Sequence, residues 1–274
     1  MNTYESNGTR LSFEETGAGL PVVFLHPTPL DHEYWLPLTQ NLAGVRAILP
    51  DLRGHGESEL GQNLPVGAFK AFPDAPVLTV EQMATDILAL LDHLQLPDAI
   101  FAGCSVGGYV LLEIWRRAPE RVRGLAFVCS KAQPDSEANR PRRVSMIEAA
   151  RAGEMRSLFE EMAVTLIGTS ARFRRPAILA ELKSHMIISA EAFVAMQAGL
   201  ATRPNSLPTV ATIDVPVLAI AGGEDPGVTP DEMQVFQGAP GGCEFHLLID
   251  AGHMAAYEQP EKVASLMAEW LRYQ

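Results

Sequence analysis

The apolar positions of this chain fall into short, nearly continuous runs separated by stretches in which they recur every three to four residues. Runs at residues 21–26, 46–50, 99–103 and 125–129 read as parallel strands buried on both faces. Two more follow at 215–221 and 243–249. The clearest helix precedes the 99–103 run, where Met83, Ile87, Leu90, Leu91 and Leu94 share one face. Thr79 and Gln82 are spaced as a capping box at its start, and Pro97 closes it. A helical segment is predicted from near Thr229 and a last helix from about Pro260 to Arg272. At the beginning, Asn7-Gly8 predicts a hairpin, because that dipeptide accepts the positive φ angles of a tight turn. Alternating strands and helices imply an α/β fold: a mostly parallel sheet with right-handed crossovers and helices on both faces.

The strand pattern stops between residues 134 and 208. Met146, Leu158, Met162, Leu166, Leu179, Leu182, Met186 and Phe193 recur there at helical spacing and predict an insertion of roughly four helices. The expected organisation is a core of residues 1–133 and 209–274 with a helical cap at 134–208, whose second face is free to roof a pocket. Residues 60–77, rich in Pro and Gly, predict an irregular loop.

Charge narrows the function classes. With 33 acidic against 21 basic residues, the net charge of −12 disfavours nucleic acid or an anionic membrane surface as partner. The most basic stretch, Arg140 to Arg143 with Arg151 beyond, is followed by Glu148 and Glu154 and reads as a solvated helix face. The first residues lack signal-peptide features and no apolar run reaches membrane-spanning length, so a cytoplasmic location is expected. Cys104, Cys129 and Cys243 are odd in number and set in apolar contexts, which predicts small buried hydrophobes rather than a disulfide framework. His26 and His32 lack a ligand constellation and Gly17-Ala18-Gly19 is an ordinary turn, so neither a metal nor an organic cofactor is expected.

The chemistry concentrates in three places. Gly103-Cys104-Ser105-Val106-Gly107 joins a predicted strand to a predicted helix, the setting of a nucleophile elbow. Small residues two before and two after the nucleophile let the chain turn sharply enough to expose it, and Ser105 has glycine at both places. Cys104 is intrinsically the stronger nucleophile, but Val106 stands two residues after it and would crowd the turn. A serine hydroxyl needs a base, and the base needs an acid to fix its tautomer. In this architecture the chain order is serine, acid, histidine. His253, in the loop after the last strand, is the expected base, ahead of His246 inside that strand. Asp225, just past the 215–221 strand, is the expected acid, ahead of Glu224 and Asp250. The oxyanion needs two N–H donors: that of Val106, after the nucleophile, and that of Thr28, the one residue with an N–H inside Pro27-Thr28-Pro29.

These motifs together resemble the α/β-hydrolase superfamily: HPTP at 26–29, DLRGHGES at 51–58, GCSVGG at 103–108, GGED at 222–225 and GHMAAYEQPE at 252–261. Many members carry His-Gly where this chain has His26-Pro27, and the 51–58 segment resembles a structural turn of the family. Ser105 argues against the dehalogenases and epoxide hydrolases, which carry aspartate at the elbow. The resemblance within the serine branch is to small bacterial carboxylesterases and 3-oxoadipate enol-lactonase-like hydrolases. It implies an eight-stranded sheet and a carboxylesterase acting through an acyl-enzyme. The alternatives are a lactonase, a carbon–carbon hydrolase or cofactor-free perhydrolase, and a non-catalytic ligand-binding protein on the same fold. Met146, Met162, Leu166, Met186 and Met254 are expected to line a pocket for small, neutral acyl groups. A preference for acidic lactones would instead require Arg172, Arg174 or Arg175 to reach that pocket.

Overall fold

The computed structural model describes residues 1–62 and 64–274. Asn63, in the predicted irregular loop, lies outside the described residues; the rest of that loop carries no helix or strand. The predicted hairpin is β1 (Asn2–Ser6) and β2 (Thr9–Gly17), turning through Asn7 and Gly8 at φ 50° and 72°. The apolar runs become β3 (Leu20–Leu25), β4 (Val45–Pro50), β5 (Ala99–Cys104), β6 (Val122–Val128), β7 (Val217–Gly222) and β8 (Cys243–Leu248). They form one sheet in the order β1-β2-β4-β3-β5-β6-β7-β8. The two pairings of β2 are antiparallel and the other five parallel.

The inner runs are apolar throughout because both sheet faces are buried. Val22, Phe24, Ile100, Ala102, Val128 and Ile220 point into one core; Val23, Leu25, Phe101, Phe127 and Ala219 point into the other. Ahead of the insertion the helices are α1 (Leu36–Thr39), α2 (Val80–His93) and α3 (Val106–Arg117). Thr79 caps α2, its hydroxyl accepting from the Gln82 N–H at 3.1 Å, a contact worth about 1 kcal/mol. The capping box is only half made. The Gln82 amide donates to Asp86 at 3.0 Å, drawn to the carboxylate that also holds Arg53 and Ser6.

Between β6 and β7 lie α4 (Arg140–Arg151), α5 (Met155–Leu166), α6 (Thr169–Arg174), α7 (Ile178–Ser184) and α8 (Ala190–Thr202). The insertion thus has five helices rather than four. Pro176 disfavours helical backbone at Arg175, which sits at φ −135°, and splits what the apolar spacing merges. Short helices α9 (Leu207–Val210), α10 (Pro230–Gln234) and α11 (Ala255–Glu258) lead to α12 (Pro260–Leu271). Among the described residues no helix is long and apolar enough to cross a membrane.

Strand order reverses at β3, which has β4 on one side and β5 on the other. The loops leaving the carboxyl ends of β3 and β5 diverge, and the crevice between them is where open α/β sheets bind ligands.

Candidate active site

Ser105 alone makes the turn from β5 to α3, at φ 51° and ψ −115°. Such backbone costs about 1–3 kcal/mol in a non-glycine residue and persists only where the surroundings enforce it. Here they do: a Cβ on Gly103 would lie 2.5 Å from the Gly107 carbonyl carbon, and one on Gly107 would lie 2.3 Å from the Leu25 oxygen. Two glycines therefore let β5, α3 and β3 meet around the serine. Val106, the first residue of α3, has an N–H with no partner inside the helix.

Loops beyond β7 and β8 carry the other two residues. His253 Nδ1 lies 2.6 Å from Asp225 Oδ2. The other carboxylate oxygen accepts the N–H groups of Gly227 at 2.7 Å and Val228 at 3.0 Å. Asp225 is thereby fixed in orientation, and its side chain is fully buried. Ser105, Asp225 and His253 all line one cavity of about 630 Å³, as does Thr28.

The rival residues are engaged elsewhere. Glu224 accepts the N–H of Ser170 at 2.9 Å and its hydroxyl at 2.5 Å. Asp250 pairs with Arg174 and accepts from Gln259 at 2.8 Å. His246 lies on β8, 3.9 Å from Glu244. Cys104 is fully buried, receives the Tyr34 hydroxyl at 3.2 Å, and has its thiol pushed well above the usual range by burial. Cys129 is also buried, whereas Cys243 is partly exposed; all three thiols are free.

Two histidines hold the loop that carries Thr28. Because a carbonyl can only accept, His26 donates from Nδ1 to Pro27 O (3.0 Å) and accepts the Leu52 N–H at Nε2 (2.9 Å). By the same logic His55 donates from Nδ1 to Arg53 O (3.0 Å) and accepts the Thr28 hydroxyl at Nε2 (2.9 Å). Burial, with a smaller contribution from His55, pushes His26 down to about 3, and burial pushes His55 down to about 4, so both stay neutral near pH 7. The 51–58 turn is thus structural, and through His55 it reaches the cavity wall. Among the described residues the Thr28 N–H donates no backbone hydrogen bond.

Of the expected apolar lining, Met146, Met162 and Leu166 face the cavity. Met186 and Met254 do not. Met254 is fully buried in the core at the start of α11, and Met186 lines a separate groove with Gly54, Ile188 and Ala192. Helical spacing identifies an apolar face without saying which of two neighbours it meets.

The charged part of the lining was not legible in the sequence. Asp135, its side chain 1% exposed, bridges Arg143 and Arg203, each at 3.1 Å. Burial works to raise its pKa, but the two guanidiniums win and hold the carboxyl below its ordinary value. Arg143 also donates to Gln197 at 2.7 Å, Arg203 stacks over the Tyr109 ring at 4.5 Å, and Lys131 pairs with Glu232 at 2.7 Å. Arg143 is therefore turned inward rather than solvated, while Arg142 stays exposed at the rim. Arg172, Arg174 and Arg175 are not in the lining: they bond Thr169, Asp250 and Glu181.

Away from the cavity, ligand-type atoms of Asp31, Glu33 and His185 come within 4.8 Å of one another. His185 Nδ1 lies 2.8 Å from Glu33 Oε2, and Asp31 caps the turn at the Glu33 N–H. Burial, reinforced by Asp51, pushes the Asp31 carboxyl up to about 6.

A family model, the alpha/beta hydrolase family, matches residues 22–266. The chain belongs to the alpha/beta hydrolase family. A solved thermophilic esterase from Thermogutta terrifontis is 33% identical, with a TM-score of 0.87 over 99% of this chain and 96% of that one. The 3-oxoadipate enol-lactonase 2 of Acinetobacter baylyi is 31% identical over 77% of this chain and 73% of its own. An enol-lactonase from Burkholderia xenovorans shares the fold at a TM-score of 0.86 and 24% identity, covering 99% of this hydrolase and all of that chain.

Proposed function

We propose that this hydrolase cleaves carboxylic esters through an acyl-enzyme on Ser105, with His253 as general base and then acid and Asp225 as the residue that orients it. The observation that carries the reading is the single cavity shared by a half-buried serine at the strand–helix turn and a histidine whose Nδ1 is held 2.6 Å from a buried carboxylate. With Nδ1–H bound to Asp225, Nε2 is left free to take the serine proton. The N–H groups of Val106 and Thr28 serve as oxyanion donors. His253 gives that proton to the leaving alcohol, then takes one from the water that attacks the acyl-enzyme and returns it to Ser105 as the acid departs.

Residues 134–208 act as the cap, supplying Met146, Met162 and Leu166 for the acyl chain. A volume near 630 Å³ suits a small to medium substrate. Three of the four lining cations, Lys131, Arg143 and Arg203, are paired with Glu232 and Asp135, so a neutral ester meets a compensated wall. The three free thiols fit a reducing, cytoplasmic setting.

A lactone substrate is the second reading, favoured by the enol-lactonase relative and by Arg142, which has no ion pair among the described residues and stands free to meet a carboxylate at the rim. Purified enzyme assayed on p-nitrophenyl acetate, butyrate and octanoate beside neutral and carboxylate-bearing lactones tests both. The ester reading expects the highest kcat/KM on neutral esters. A maximum on acidic lactones that Arg142→Gln abolishes would establish the second, and no turnover of either class would refute both.

A further inference from the structure

Every backbone polar group around His253 has a partner, and the partners come from three directions. The Gly252 N–H donates to Glu258 Oε2 at 2.8 Å and the Met254 N–H to Glu258 Oε1 at 3.3 Å. Between them, the His253 N–H donates to the carbonyl of Leu166, at the end of α5, at 2.9 Å. The carbonyls of Gly252 and His253 receive the buried thiols of Cys129 and Cys104 at 3.5 and 3.8 Å. Glu258 also accepts the N–H of Gly168, in the insertion, at 3.3 Å. One carboxylate therefore grips the N–H groups of both residues flanking His253 and, 90 residues away in sequence, the segment that supplies His253 with its own acceptor.

We propose that Glu258 is the positioning residue for His253, locking its loop to residues 166–170 of the cap so that the imidazole is placed only when the cap is seated. The inference rests on the triad reading above.

A purely local role, capping the short helix α11, accounts for the Met254 contact but not for the Gly168 contact. Nor does it account for the close approach behind it: a Cβ on Gly252 would lie 2.3 Å from the Gly168 nitrogen, and one on Gly168 would lie 2.7 Å from the Gly252 nitrogen. The two strands of backbone touch, with the Glu224 and Glu258 carboxylates against the same contact. A second tie runs in parallel, because Ser170 binds Glu224, the neighbour of Asp225. Both loops that carry the histidine and its acid are thus stitched to the same five-residue stretch. Glutamine at 258 would turn an NH₂ group toward N–H donors at one of the two oxygen positions, breaking either the Met254 contact or the pair to Gly168 and Gly252.

The test compares wild-type enzyme with Glu258→Gln and Gly168→Ala in kcat, KM and the second-order rate of Ser105 labelling by a fluorophosphonate. Misplacing the base is expected to lower kcat and the labelling rate together by about tenfold to a hundredfold, with KM within about threefold. Gly168→Ala, whose Cβ would lie 2.6 Å from Glu224 Oε2, 2.7 Å from the Gly252 nitrogen and 3.0 Å from Glu258 Oε2, disturbs the same seam from the cap side while keeping the glutamate, and should give the same signature. A folded Glu258→Gln enzyme with wild-type kcat and labelling rate overturns the proposal, as does a rise in KM alone. If Glu258→Gln does not fold, Gly168→Ala decides by the same criteria. Absence of label on the wild-type serine would remove the triad reading and this inference with it. Loss of activity in Ser105→Ala beside an unaffected Glu258→Gln would remove this inference only.

Discussion

Replacing Asp225 by asparagine should nearly abolish turnover while leaving the fold intact, and the surrounding hydrogen bonds dictate why. Asp225 Oδ1 faces two N–H donors, those of Gly227 and Val228, at 2.7 and 3.0 Å. An asparagine must put its carbonyl oxygen there, since an NH₂ group would meet two donors. Its NH₂ is then forced into the Oδ2 position, 2.6 Å from His253 Nδ1. Facing a donor, Nδ1 must become an acceptor, and the imidazole proton moves to Nε2. In that tautomer the nitrogen directed at the substrate side already holds a proton and cannot take one from Ser105. Loss of the correct tautomer in a serine triad costs about 10⁴ in kcat, or about 5.5 kcal/mol of transition-state stabilisation. The assay is kcat on p-nitrophenyl acetate beside the urea midpoint. The expected result is a loss near that size with the midpoint little changed. An Asp225→Asn enzyme retaining more than about a tenth of wild-type kcat would refute the reasoning.

Other outcomes follow from the same geometry. His26 and His55, held near 3 and 4, must take up protons on unfolding below their unfolded value of 6.5. Because the folded values are the lower ones, their contribution is complete above about pH 6.5 and is lost as pH falls toward 4, by up to about 1.4 kcal/mol per pH unit for each. Urea unfolding at pH 7 and 5 should show a smaller drop for His55→Gln than for wild type, and equal drops would mean His55 is not held neutral. Gly107→Ala pushes a Cβ to 2.3 Å from the Leu25 oxygen and should destabilise by about 3 kcal/mol or more, read as a lower urea midpoint; an unshifted midpoint would contradict the packing at the elbow. Cys104→Ala removes only weak thiol contacts and should keep kcat within about threefold, whereas a catalytic thiol would lose it all.

Apolar periodicity and glycine spacing make the sheet and the elbow legible in the sequence, since both express local requirements of backbone and burial. Ser105, His253 and Asp225 could be singled out for the same reason: each follows the carboxyl end of a strand, where chain order constrains the choice. The polar wall could not. Asp135, Arg143 and Arg203 span 69 positions, and no spacing rule links them. Arg143 belongs to a charged run that normally faces solvent, and only the buried Asp135 turns it inward. Met186 and Met254 carried the right side chains, but helical period cannot say which face meets a cavity and which meets core. Glu258 lies inside the 252–261 motif, yet its reach to Gly168 crosses from core to insertion and leaves no trace in local sequence.

The central claim is a covalent acyl-enzyme on Ser105, and it is tested most directly by trapping that species. Enzyme mixed with p-nitrophenyl acetate, quenched in acid within the first turnovers and digested, would be fragmented to separate Ser105 from its neighbour Cys104. The account predicts one acetyl adduct on Ser105, absent from Ser105→Ala, whose turnover is lost. An adduct on Cys104, or undiminished turnover in Ser105→Ala, would contradict it.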